Sequence, residues 1–159
     1  MKFIFLLLVL NYATDVNQLF IQGECKSLIQ ELEPIAKGRW RKSGLELKLP
    51  LLAECYIKEG KGDSALKLAE NFLKYFKTSA MRDRMLFIKA QARLQRGELL
   101  RGVELLYSLI QYSSQSLIHQ EVKKQILIVL ASNKLTSQEL QLLLDRYLYD
   151  NELVGELLF

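Results

Sequence analysis

The sequence predicts an all-α fold, a helical solenoid of about four helix–turn–helix pairs, and three observations predict it. A block recurs 37 residues downstream: residues 53–60 and 63–69 match 90–97 and 100–106. Ala53 superposes on Ala90, Ile57 on Leu94, Gly60 on Gly97, Leu68 on Leu105, Tyr75 on Tyr112 and Ser79 on Ser116. A fixed period of this size marks stacked supersecondary units. The composition is helical, with two prolines, eight glycines and abundant Leu, Glu, Lys and Gln. Apolar residues recur at spacings of three and four, the stripe of an amphipathic helix. At 159 residues, half of them hydrophobic, the chain has room for one domain with its own core.

The N-terminus has two readings. Met1-Lys2 precedes an apolar run over residues 3–10, the layout of a secretory signal, so residues 1–13 are expected to be a signal peptide. The run is too short to span a bilayer, which takes about 20 apolar residues. No small-x-small cleavage site follows it, and the alternative is a first buried helix over 3–22. The domain proper is expected over 14–159. Shifting the period both ways puts inter-helix turns near 23, 60, 97 and 134.

In the first pair, Pro34 is expected to break the second helix near Glu33, because proline lacks the N–H and clashes with the preceding turn. A basic loop follows over 37–44, with Trp40 between Arg39 and Arg41. That trio suits an anionic surface or base stacking; the competing reading is a linker with an amphipathic anchor.

The clearest repeats run over 45–79 and 82–116. A helix over 45–59 is predicted from Leu45, Leu49, Leu52, Ala53, Tyr56 and Ile57, with Ser43 as N-cap and Pro50 as a kink or second start. Asp63 is the expected N-cap of a helix over 64–76, whose face carries Ala65, Leu68, Ala69, Phe72, Leu73 and Phe76. The next pair is predicted over 80–96 and 99–112, with Gly102 replacing Ala65 as the small residue at the helix crossing. A last pair is expected over 117–132 and from Leu140 onward. Thr136 and Glu139 form a capping box there, and Glu139 stands in the small-residue slot. End units deviate because they cap the stack, and the apolar tail 152–159 is expected to be a capping helix or the stump of a further unit.

The chemistry in the sequence points away from catalysis. His119 is the only histidine, so no histidine cluster can hold a metal, and no phosphate loop or nucleophile elbow occurs. No cofactor is expected. A dyad of Cys25 or Cys55 with His119 is conceivable, but both cysteines lie on apolar stripes, where inert buried thiols are expected. In a reducing compartment both are small core residues; in an exported protein they could pair. Glu54, Glu59, Glu70 and Glu104 read as solvated faces. A net charge of +4 from 22 basic and 18 acidic residues makes no nucleic-acid track.

Over residues 45–116 the chain resembles a tetratricopeptide repeat protein. Ala53, Tyr56, Gly60, Ala65, Ala69 and Phe72 fit that family's pattern, as do Ala90, Gly97, Gly102 and Leu109. Arg93 departs from it by replacing the aromatic. The phrases Phe72-Leu73-Lys74-Tyr75-Phe76 and Leu109-Ile110-Gln111-Tyr112, each followed by a serine, are similar to repeat ends in cell-envelope members, without their proline. The period of 37 is also longer than the family's usual 34. The resemblance implies a right-handed superhelix and a non-catalytic scaffold that holds a peptide or partner domain in a concave groove. It also implies a setting in bacterial envelope assembly or maintenance, in the periplasm, with peripheral membrane contact through the N-terminal segment. The alternative is a cytoplasmic helical accessory or regulatory domain of an enzyme system.

In such a stack the first helix of each pair lines the groove. The partner-binding candidates are therefore Glu54, Lys58, Arg84, Phe87, Gln91, Gln95 and Lys124, with Glu121 and Ile128 beside them. Phe87 reads as an apolar hot spot with a polar rim, or else as core. Arg84, Lys58 and Lys124 could hold a ligand carboxylate, or else are solvated.

Overall fold

The computed structural model describes residues 15–38, 40, 44–114, 116–132 and 134–147. Among the described residues it forms eight α-helices and no strand. They are α1 Val16–Ile21, α2 Cys25–Ala36, α3 Leu45–Lys58, α4 Gly62–Tyr75, α5 Arg82–Gln95, α6 Leu99–Tyr112, α7 Ser116–Ala131 and α8 Ser137–Tyr147. The expected signal peptide over 1–13, the Ser43 cap and the tail over 152–159 lie outside the described residues. No helix among the described residues is long and apolar enough to cross a membrane.

The 37-residue period is written into the turns. Gly23, Gly60 and Gly97 all adopt positive φ, at 76°, 69° and 78°. At each, the next residue's N–H reaches back five positions: Glu24 to the Leu19 carbonyl, Lys61 to Tyr56 and Glu98 to Arg93. The glycine N–H bonds three back, to Phe20, Ile57 and Leu94. This pairing satisfies the last carbonyls of a helix and needs a left-handed residue, which glycine supplies without steric cost. Each turn then feeds a second helix at the same register.

Consecutive helices pack from α1 through α7, and the first helices of the pairs also touch in succession, α1 to α3, α3 to α5 and α5 to α7. One core cluster joins α1 to α5 around Leu28, Leu49, Leu52, Phe72 and Ile88. A second joins α5 to α7 around Phe87, Leu106 and Val122. Leu143 of α8 is buried with Val103 and Val129. Gly102 marks a close crossing: a Cβ there would stand 2.7 Å from Leu94 Cγ and 3.3 Å from the Ala90 carbonyl oxygen.

Two local expectations, at Pro34 and Asp63, are corrected. Pro34 does not end α2, which runs to Ala36; proline's clash acts on the turn before it, and only two helical residues follow. Pro50 sits buried inside α3, which is one helix across it, so no second start is made there. The N-cap of α3 is Gly44 at φ 79°, with no side-chain cap. Asp63 is not the cap of α4; Lys61 is, and Asp63 lies in the first turn, 3.1 Å from Arg96. An acid in that turn still favours the helix's positive end.

The departure at Arg93 keeps its contact. Tyr56 donates its hydroxyl to Glu33 at 3.0 Å. One period on, Arg93 stands 3.7 Å from Glu70. The repeat thus preserves an acid on the second helix of one pair facing a donor on the first helix of the next. Burial, then the Glu33 acceptor, pushes the Tyr56 phenol up, and the Tyr56 hydrogen bond leads in holding Glu33 below its ordinary value.

At α8 the capping box forms. Thr136 Oγ1 accepts from the Glu139 N–H at 3.2 Å, and Glu139 Oε2 accepts from the Thr136 N–H at 2.9 Å. Thr136→Ala is expected to cost about 0.5–2 kcal/mol, read as faster amide exchange confined to α8. The backbone hydrogen bond from Thr136 leads in holding the Glu139 carboxyl below its ordinary value. Its contribution is therefore complete above the unfolded carboxylate pKa and is lost as pH falls through the lower folded value.

The expected buried thiols are paired instead. Cys25 at the start of α2 and Cys55 in α3 form a disulfide with their Cα atoms 5.0 Å apart. Both are buried, so the bridge is an internal staple between the first two pairs.

Candidate functional site on the first-helix face

Because α3, α5 and α7 touch in succession, residues on their common side form one surface. A groove of about 300 Å³ opens there, lined by Glu54, Ile57, Lys58, Arg84, Phe87, Gln91, Glu121, Lys124, Gln125 and Ile128. Six of the seven partner-binding residues expected from sequence line it. The seventh, Gln95, lies one turn further along α5, where its Nε2 donates to the Ile57 carbonyl at 2.7 Å and ties α5 to α3.

The centre of the groove is an ion-pair network across three helices. Arg84 Nε donates to Glu54 Oε1 at 2.7 Å, and Nη1 donates to Glu121 Oε2. Arg84 and Glu121 occupy the same repeat position, 37 residues apart. The guanidinium also lies 5.5 Å from the Phe87 ring centroid, within cation–π range. The Glu54 hydrogen bond leads in raising the Arg84 pKa above its ordinary value, with burial opposing.

These contacts decide between the readings that the sequence left open at two positions. Arg84 is not a solvated cation awaiting a ligand carboxylate, because the chain supplies two carboxylates of its own. Phe87 is not a projecting anchor: it is 4% exposed and belongs to the second core cluster. It gives the groove an apolar floor. Glu54 is likewise more than a solvated face, with its side chain 15% exposed against Arg84. Lys58, Lys124 and the apolar Ile128 are exposed along the groove, and Gln91 is half-buried. Lys58 rests its ammonium 4.5 Å from the Phe20 ring centroid. The groove therefore combines apolar floor, amide and cation, with three cations against two carboxylates.

Sequence reasoning missed a larger cavity of about 920 Å³ between α2, α3 and α4, with Glu33, Trp40, Tyr56, Asn71 and Tyr75 among its lining. Trp40 does not present its ring as a free platform. Its centroid lies 5.3 Å from Tyr75 and 6.0 Å from Phe76, and its Nε1 donates to the Ala36 carbonyl at 2.6 Å. It anchors the loop, while Arg39 and Arg41 lie outside the described residues.

The thiol–imidazole dyad is removed, since both sulfurs are bonded to each other. His119 Nε2 instead lies 2.9 Å from the Ser113 carbonyl. Comparison with models of known protein families, with curated proteins and with solved structures finds no match.

Proposed function

We propose that this chain is a non-catalytic adaptor of the tetratricopeptide kind, whose helix pairs stack as a right-handed superhelix and bind a peptide or partner domain along the α3–α5–α7 face. The groove carries the reading: six residues chosen for their repeat position converge on it. Its floor is apolar and its rim polar, the balance of a protein-binding surface. The succession of first-helix contacts supports the stacked arrangement. The buried Cys25–Cys55 bridge supports an oxidising compartment, and with it export to a bacterial envelope, since such bridges persist outside the reducing cytosol.

The test is a displayed-peptide library screened on the full chain. Binders selected on the native protein are expected to be lost on a Lys58→Glu, Gln91→Lys, Lys124→Glu triple variant. They are expected to be retained on Lys67→Glu, which lies on the far side in α4. Equal binding to all three proteins would place the interface elsewhere. Phe87 is left untouched, because a charge at a buried core position would unfold the site and mimic loss of binding.

A further inference from the structure

The cavity between α2, α3 and α4 shares no lining residue with the first-helix groove, and its volume of about 920 Å³ lies in the range of small-molecule sites. One stripe of α4 lines it: Ser64, Lys67, Leu68, Asn71 and Tyr75 follow one another at helical spacing. Glu33 and Lys37 of α2 face that stripe, and Tyr56 and Leu68 are the buried members of the lining. The polar groups of the stripe are open. Among the described residues, Ser64, Lys67 and Asn71 make no hydrogen bond or ion pair within the chain. Glu33 takes both the Tyr56 hydroxyl and the Lys37 ammonium on Oε1, which leaves Oε2 without a donor among them. One period on, the same positions are engaged. Arg101, equivalent to Ser64, stands 3.8 Å from Glu98, and Ser108, equivalent to Asn71, donates to the Leu105 carbonyl at 2.8 Å. Arg93, equivalent to Tyr56, reaches both Glu70 and Glu98. The first slot thus keeps open the groups that the second slot ties up.

We propose that this cavity is a binding site for an acidic saccharide, with a hexuronic acid as the unit it holds. Three observations select that chemistry. The first is the set of open groups. The Lys67 ammonium only donates, Glu33 Oε2 only accepts, and the Ser64 hydroxyl and Asn71 amide do both. A ring with hydroxyls around its rim meets both walls at once, because each hydroxyl donates and accepts. An apolar ligand would leave these groups desolvated and unpaired. The second is charge. Lys37 and Lys67 stand against Glu33 alone, an excess of one positive charge that suits a single ligand carboxylate on Lys67. A ligand with more negative charge would meet repulsion from Glu33. The third is Tyr75, which is 67% exposed while its ring centroid lies 5.3 Å from that of Trp40. Trp40 holds the phenol ring in place, and the open side of that ring takes the C–H face of a sugar. The site goes beyond the peptide-binding reading and does not depend on it.

Trp40 is the only tryptophan of the chain and lines this cavity, so its fluorescence reads the site directly. Full-length protein is titrated with disaccharides of glucuronic and galacturonic acid and with the methyl esters of the same compounds, and the heat of binding is measured alongside. The acids are expected to shift the Trp40 emission saturably. The esters should bind about 10–100-fold more weakly, the worth of a hydrogen bond to a charged group. Lys67→Gln should bring the acids down to the level of the esters and leave the esters unchanged, since both changes remove one contact. Lys124→Glu, in the other groove, should alter neither titration. Lys67 and Lys124 are both exposed, so neither variant endangers the fold. Equal binding of acids and esters, an acid preference that survives Lys67→Gln, or the absence of both shift and heat would each overturn the proposal. A shift produced by short acidic peptides and by no saccharide would put a polypeptide in the cavity, and would overturn it too.

Discussion

Replacing both cysteines, Cys25→Ala with Cys55→Ala, is expected to lower stability by about 3.5 kcal/mol, and the midpoint of thermal unfolding by about 7–14 °C. The size follows from the chain between them. The bridge closes a loop across a sequence separation of 30, and releasing such a loop restores that much entropy to the unfolded chain in the loop-closure description. A further loss comes from the core, because both sulfurs are buried among Leu28, Leu52 and Tyr56 and alanine leaves each site short of contacts. Single substitutions should behave much like the double, since either one breaks the bridge. Reduction of the native protein should bring the midpoint most of the way toward the double variant. Protein taken from its source under alkylating conditions should carry no thiol label at either position. A label there, with no change of midpoint on reduction, would show that the bridge is not part of the working protein and would remove the support it lends to export.

Much of the fold was legible because the repeat acts at the level of turns. Gly60 and Gly97 announced themselves by spacing, and the shift of one period to Gly23 found a third turn with the same backbone conformation and the same pair of hydrogen bonds. Such a turn is a local device, fixed by one residue type, so a single sequence reveals it. The failures were also local, but they depended on surroundings. Pro34 read as a helix breaker, yet it is carried within α2. Asp63 lost the capping role because Gly62, in close approach to Gln95 and Ala92, already belongs to α4. Propensity ranks such choices weakly, and tertiary packing decides them.

The candidate site was legible in position and misread in chemistry. Counting repeat registers placed Glu54, Lys58, Arg84, Phe87, Gln91 and Lys124 on one surface, and they line one groove. What the register could not show is who partners whom. Arg84 looked available because its neighbours in sequence are not its partners; Glu54 comes from the pair before and Glu121 from the pair after. Phe87 read equally as an anchor or as core because polar residues flank it in sequence, and in space it meets the second core. The Cys25–Cys55 pairing falls under the same heading, since it joins two repeats and depends on their packing. Contacts within one repeat can be read from spacing. Contacts between repeats need the crossing geometry.

Phe72→Ala is expected to cost about 3–5 kcal/mol, enough to remove much of the stability of a domain this size. Phe72 is fully buried in α4, with its ring centroid 4.8 Å from that of Phe76, which in turn stacks on Trp40. Deleting the ring leaves a cavity where the first core, the basic-loop anchor and the α3–α4 contact meet. The repeat itself supplies the control. Leu109 fills the same register one unit later and is also buried, so Phe72→Leu should cost under about 1.5 kcal/mol. The shape of the transition is as informative as its midpoint. In a stack of nearest-neighbour units, separate cores can melt separately. Here α5 contributes Met85, Ile88 and Ala92 to the first cluster and Phe87 and Ala90 to the second. Loss of the first core strips one side of α5 and should take the second with it. The Phe72→Ala protein is therefore expected to unfold in a single step, shifted to lower denaturant, with the exchange of α6 and α7 amides accelerated along with those of α3 and α4. Two separated steps, with α6 and α7 unaffected, would show that the clusters are independent modules and that α5 does not couple them.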